Sequence, residues 1–171
     1  RRERAAAAFQ RGIGCVLASQ VVVNGKPTVW GAQHDPLTLA PTNARAYEHA
    51  SLSGGESVDL MELLMGLPSP DARVVAAVHG AAAWFRATAI NGFAYESKGE
   101  LTPRAGAGPI WARFYEIGTN RPIFSDRDGV IRYNWSELGT ERRYGYNWYT
   151  ADAARALRRY DTWAGRNPVV R

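Results

Sequence analysis

Apolar positions recur at helical spacing in two central stretches and again near the end of the chain, and lose that period between them. Ser53-Gly54-Gly55-Glu56 reads as a capping box, in which Ser53 and Glu56 satisfy two orphan amides. The helix it opens sets Val58, Leu60, Met61, Leu63, Leu64 and Leu67 as a broad apolar face against Asp59 and Glu62, with Gly66 and Pro68 at its end. Ser69-Pro70-Asp71 caps a second helix, where Val74, Val78, Ala81 and Phe85 share one side before Asn91-Gly92. A link of two or three residues between these helices predicts an antiparallel pair. Thr150 and Asp152 start a last helix with Leu157, Tyr160 and Ala164 on one face, closed by Gly165 and Pro168.

Residues 1–11 have helix-forming composition without a clear start. Val21, Val22 and Val23 lead into Asn24-Gly25, the commonest two-residue hairpin signal, and Thr28, Val29 and Trp30 return. Pro36 to Thr42 is a loop, and Asn43 to Ser51 reads as a short helix. Gly99 to Pro109, rich in glycine and proline, reads as a long surface loop. Trp111 to Ile117 and Gly129 to Tyr133 read as short extended segments. The predicted class is mainly α, one domain over residues 1–171 with short strands and long loops, and with no repeat of solenoid period.

Composition narrows the classes. At 171 residues, 46% hydrophobic and 22% charged, the chain carries enough apolar surface for a core, which excludes a disordered protein. No window holds the roughly 18 apolar residues of a membrane-spanning helix. The net charge of +5 comes from a basic set in which only Lys26 and Lys98 are lysines, so arginine dominates. A basic surface of this kind suits an anionic partner, although a GC-rich genome writes Arg and Ala with equal ease. Cys15 stands alone, so these residues contain no disulfide framework. The opening Arg1-Arg2-Glu3-Arg4, without an initiator Met or signal peptide, reads as a fragment or mature piece of something longer.

Phosphate-loop, dinucleotide-fingerprint and zinc motifs are absent from the sequence. His79, on an Ala-rich helical stretch, reads as structural. His34 sits in a turn-prone segment beside Asp35, which could orient its imidazole towards a ligand. The densest stretch runs from Ile110 to Tyr149, where arginines, acids and Trp or Tyr rings alternate. Rings beside guanidinium groups suit a carbohydrate groove, because ring faces cover sugars and planar guanidinium groups hold carboxylates by two parallel hydrogen bonds. The same composition also describes a salt-bridged surface over a buried aromatic cluster.

The blocks GKPTVWGAQHDPLTLAPTNARAYEHASLSGGESVDLMELLM and PIWARFYEIGTNRPIFSDRDGVIRYNWSELGTERRYGYNWY closely resemble the C-terminal half of the family 10 polysaccharide lyases, bacterial pectate lyases, over roughly residues 12 to 150. The resemblance implies part of an (α/α) toroid-type catalytic module, cleavage of polygalacturonate by anti β-elimination, and dependence on calcium. It implies a secreted or periplasmic monomer that binds pectate oligosaccharides, with neither nucleic acid nor membrane as partner. By motif, Arg127 in SDRDG matches the family's catalytic base. Arg45 in NARAYE, Arg113 in WARFY and Arg142 in ERR look like substrate-carboxylate ligands or neighbours of the base, and His34, from its own turn setting, is a further candidate substrate contact. The family's calcium-binding aspartates precede this segment, so calcium ligands are expected outside it. One departure is Gly31, which stands where the family block carries a cysteine.

An arginine base needs a lowered pKa, which packed neighbours Arg113, Arg142 and bound calcium would supply, with Asp126 and Asp128 facing away. The reading requires residues 45, 113, 127 and 142 to converge; scattering them, or giving each its own salt link, would remove its basis. A half module on its own is expected to be inactive or poorly soluble. The competing readings are a non-catalytic acidic-polysaccharide binder and, on the basic pI alone, a nucleic-acid binder.

Overall fold

The computed structural model describes residues 1–96 and 99–169. Five helices carry most of the regular structure: α1 (Arg2–Ser19), α2 (Glu56–Met65), α3 (Ala72–Ala87), the short α4 (Thr140–Gly145) and α5 (Asp152–Ala164). The mainly α class holds. Helices α2, α3 and α5 pack on one another through Val58, Met61, Leu64, Val78, Phe85 and Tyr160.

Asp71 caps α3 as its sequence indicates, accepting the amides of Arg73 and Val74 at 2.9 and 3.0 Å. The link from α2 to α3 runs over residues 66–71, longer than the two or three residues expected. The Ser53 box forms by half. Ser53 Oγ accepts the Glu56 amide at 3.0 Å, but the Glu56 side chain turns to the Ser53 hydroxyl and to Arg113 instead of the Ser53 amide. The first helix runs beyond residue 11 to Ser19 because its final turn is docked. Trp30 Nε1 donates to the Val16 carbonyl at 2.7 Å, and the Gln20 amide just beyond reaches Ala77 of α3 at 2.9 Å.

Ten short strands form five antiparallel pairs. β1 (Val22–Val23) and β2 (Lys26–Pro27) close the expected hairpin, with Asn24 and Gly25 at φ 50° and 75°. β3 (Leu52–Ser53) lies far from its partner in sequence. β4 (Phe93–Tyr95) pairs with β5 (Leu101–Pro103), so the predicted loop at Gly99–Pro109 begins with a strand. β6 (Trp111–Ala112) and β7 (Phe114–Tyr115) flank Arg113; β8 (Phe124–Ser125) pairs with β9 (Ile131–Arg132), and β10 (Tyr149–Thr150) returns to β6. The β3–β7 and β6–β10 pairs bring residues 52, 113 and 149 together.

The predicted helix at Asn43–Ser51 is instead a turn. The Asn43 side chain accepts the Ala50 amide at 2.7 Å and the Ala44 amide bonds to the Glu48 carbonyl at 2.9 Å, which diverts the donors a helix would use. Gly54 meets β6 so closely that an added Cβ would lie 2.1 Å from the Ala112 carbonyl oxygen. Gly54→Ala is therefore expected to cost about 1–3 kcal/mol or more of stability, read as a lowered urea midpoint. An unchanged midpoint would contradict the tight β3–β7 seam.

Candidate functional site

The turn at residues 44–48 and the end of α4 bring Tyr47 and Tyr146 edge to face, with ring centroids 5.4 Å apart. Arginines gather on this pair. Arg142 lies 4.6 Å over Tyr47, Arg45 lies 5.1 Å over the same ring, and Arg113 lies 5.0 Å from Tyr146. Arg113 is fixed by the seam: its amide donates to Trp148 at 2.7 Å and its carbonyl accepts from Gly54 at 2.9 Å. Arg127 stands on the turn after β8. The Asp126 carboxylate on that turn accepts the Gly139 amide at 3.0 Å, which ties the turn to the start of α4 and sets Arg127 opposite Glu141. Of the four guanidinium groups singled out in the sequence, those of Arg45, Arg113 and Arg142 therefore converge on one aromatic pair, and that of Arg127 joins Arg142 through Glu141.

Each also meets a glutamate. Arg45 forks onto Glu48, Arg113 pairs with Glu56, and Arg127 forks onto Glu141 with contacts of 3.1, 3.1 and 2.7 Å. Arg142 shares the same Glu141 oxygen at 2.9 Å. Three glutamates serve four arginines, so private links exist for Arg45 and Arg113 and a shared one for Arg127 and Arg142. Arg142 is only 9% exposed, and its Nε, like that of Arg113, has no partner. The site is short of acceptors for its buried donors.

The fork of Arg45, and after it the Tyr146 hydroxyl donating at 2.7 Å, hold the Glu48 carboxyl down at about 2 despite the opposing effect of its burial. Burial, followed by that bond to Glu48, pushes the Tyr146 phenol up. Because Glu48 ionises more readily folded than unfolded, its stabilisation is full above 4.5 and is lost as pH falls from 4.5 towards about 2. Glu48→Gln is expected to remove about 2 kcal/mol of that acid dependence, seen as a flatter melting temperature against pH. An equally steep profile in the variant would contradict the buried fork.

Several expectations are corrected. The base reading of Arg127 called for a lowered pKa; the Glu141 hydrogen bonds and charge raise it. Asp126 and Asp128 do turn away, to Gly139 and Arg132, but the acid facing Arg127 is Glu141. His34 is committed to its own loop: Nε2 accepts the Gly31 amide at 2.9 Å, which leaves Nδ1 to donate to the Leu39 carbonyl at 2.8 Å. No ring nitrogen remains for a sugar, and Asp35 bonds to Leu37 and Thr38, not the imidazole. His79 is structural as expected, held by Tyr160 and the Asn167 carbonyl. Most rings of the Ile110–Tyr149 stretch do not line a groove: Trp111, Tyr115 and Trp148 are fully buried core.

A cleft of about 470 Å³ opens on the Arg113 side, lined by Glu56, Asp59, Tyr149 and Asp152. Among the described residues no three His, Cys, Asp or Glu side chains come together to hold a metal ion. No described helix is long and apolar enough to cross a membrane. The glutamates and the two tyrosines were missed in the sequence, although Glu48, three residues after Arg45, is a partner that local spacing could have flagged.

The chain matches the Pectic acid lyase family over residues 1–157. It is similar to a solved family 10 polysaccharide lyase from Cellvibrio cellulosa, with 37% identity and a TM-score of 0.87 over 99% of this chain and 52% of that one. A mutant of that lyase in complex with trigalacturonic acid matches at 38% identity and a TM-score of 0.87, over 98% of this chain and 52% of that one. The chain thus spans about half the length of the structures it matches. No curated protein matches it.

Proposed function

The chain belongs to the pectic acid lyase family, and from that membership and its arginine cluster we propose that it supplies the carboxylate-binding half of a pectate lyase. The observation that carries this reading is the convergence of Arg45, Arg113 and Arg142 on Tyr47 and Tyr146, with Arg127 joined to Arg142 through Glu141. In β-elimination a base takes the C5 proton of a uronate, the electron pair spreads onto the adjoining carboxylate, and the C4–O bond breaks to leave a 4,5-unsaturated sugar. The C5 proton is weakly acidic, so stabilising the carboxylate as charge builds on it is the larger task. In this reading Arg45, Arg113 and Arg142 take on that task, and their position over Tyr47 and Tyr146 supports it.

Arg127 is our proposed base, and it acts as one only when its guanidine is neutral. The fork to Glu141 opposes this, so the Arg127–Glu141 pair has to open when a substrate carboxylate arrives. Calcium remains part of the proposal with its ligands outside the described residues, and no step above runs through it. The toroid-type module, the secreted or periplasmic setting and the monomeric state belong to the same proposal.

The test is full-length protein incubated with polygalacturonate and followed by unsaturated-uronate absorbance. We expect a time-dependent rise that steepens towards alkaline pH. Binding of trigalacturonic acid without any rise would make the protein an acidic-polysaccharide binder, and neither binding nor rise would reject both readings. A chelator in the same assay tests calcium: a rate lost and then restored by calcium supports it, and an unaffected rate removes it.

A further inference from the structure

The three glutamates of the arginine cluster are not equivalent. Glu48 is buried and receives the Tyr146 hydroxyl as well as Arg45; Glu56 is tied to the Ser53 hydroxyl at the start of α2. Glu141 has a side chain 61% exposed, sits in the first turn of a six-residue helix, and among the described residues its carboxylate bonds only to the two guanidinium groups of Arg127 and Arg142. Arg142, for its part, is buried with an unpartnered Nε, and among the described residues its ion-pair partner is Glu141 alone. A buried guanidinium needs an anion beside it, so the position has to stay filled when Glu141 leaves.

We infer that the Glu141 carboxylate is an internal stand-in for a uronate carboxylate at Arg142, and that it swings out when the sugar binds, which releases Arg127 from its pair. Glu141 is then a positioning residue: it keeps Arg142 compensated and Arg127 parked until the ligand arrives. The exchange of one carboxylate for another leaves the charge at the buried Arg142 unchanged, which lets an otherwise costly buried cation serve as a binding group. This inference rests on the uronate reading above.

The experiment is titration of full-length wild type, Glu141→Gln, Glu141→Asp and Asp128→Asn with trigalacturonic acid, together with steady-state kinetics. Removing the internal competitor is expected to tighten binding about fivefold in Glu141→Gln, the scale of an exposed ion pair. Relative to wild type, KM falls and kcat/KM rises by at least the same factor. Glu141→Asp keeps the charge but is too short to span both arginines, so it also tightens binding. Asp128→Asn loses an equal charge from the Arg127 turn while leaving the position filled, and its affinity stays near wild type. Equal or weaker binding in both Glu141 variants, each shown folded by its melting curve, would overturn the inference, as would an equal gain in Asp128→Asn. Failure of the wild type to bind trigalacturonic acid would instead overturn the uronate reading itself.

Discussion

Arg127→Ala in the full-length protein is expected to slow unsaturated-uronate formation by about 10²–10⁴, the range a positioned general base contributes. The loss should come without a loss of fold. The Arg127 side chain is 65% exposed and its ion pair is with exposed Glu141, so the melting temperature should stay near that of wild type. The kinetic signature separates two roles. A base acts in the transition state, so kcat falls together with kcat/KM; a mere carboxylate ligand would raise KM and leave kcat. The pH dependence has a fixed sign. The Glu141 carboxylate raises the Arg127 pKa, so at any working pH the neutral guanidine is a minority that grows about tenfold per pH unit, and the wild-type rate should climb into the alkaline range. A maximum below about pH 7, or wild-type turnover in Arg127→Ala, would end the assignment.

Trp111→Ala is expected to remove most of the chain's stability. Trp111 is fully buried in β6, meets Phe85 of α3 edge to face at 6.0 Å, and donates from Nε1 to the Phe85 carbonyl at 2.8 Å. Truncation loses about 3–5 kcal/mol of packing, and the carbonyl left without its donor adds about 1–3 kcal/mol. Against a usual net stability of about 5–15 kcal/mol, little of the fold would survive at ambient temperature. Trp111→Phe keeps much of the volume, loses the indole donor, and should unfold between wild type and Ala in urea. A Trp111→Ala midpoint within about 1 kcal/mol of wild type would show that β6 is not the joint between α3 and the Arg113 segment.

What the sequence discloses follows the range of the interaction that fixes each element. The Asn24-Gly25 hairpin and the Asp71 cap were legible because the residues that satisfy the backbone are two or three positions away. Helix α5 was legible because its apolar face repeats. The Asn43–Ser51 turn was misread as helix because its side chains take the amides that a propensity argument hands to the backbone. The β3–β7 pair joins Leu52 to Tyr115, and no local pattern carries such a distance. The same holds at the site. Family resemblance picked out the arginines, yet their gathering on Tyr47, Tyr146 and Glu141 depends on the β3–β7 and β6–β10 seams and on the Asp126–Gly139 bond. His34 looked available because its sequence neighbours are polar, whereas its ring closes a loop whose partners, Gly31 and Leu39, carry no side-chain signal.

The most direct measurement is the arginine Nε–H nuclear magnetic resonance spectrum of the full-length protein during titration with trigalacturonic acid, with each signal assigned by substitution. Signals from Arg45, Arg113, Arg127 and Arg142 should move together and saturate at one ligand concentration, while those of Arg155 and Arg159, held by Glu62 beside α5, stay in place. Movement confined to the α5 arginines, or four midpoints that disagree, would mean that the guanidinium cluster does not bind the sugar as a unit.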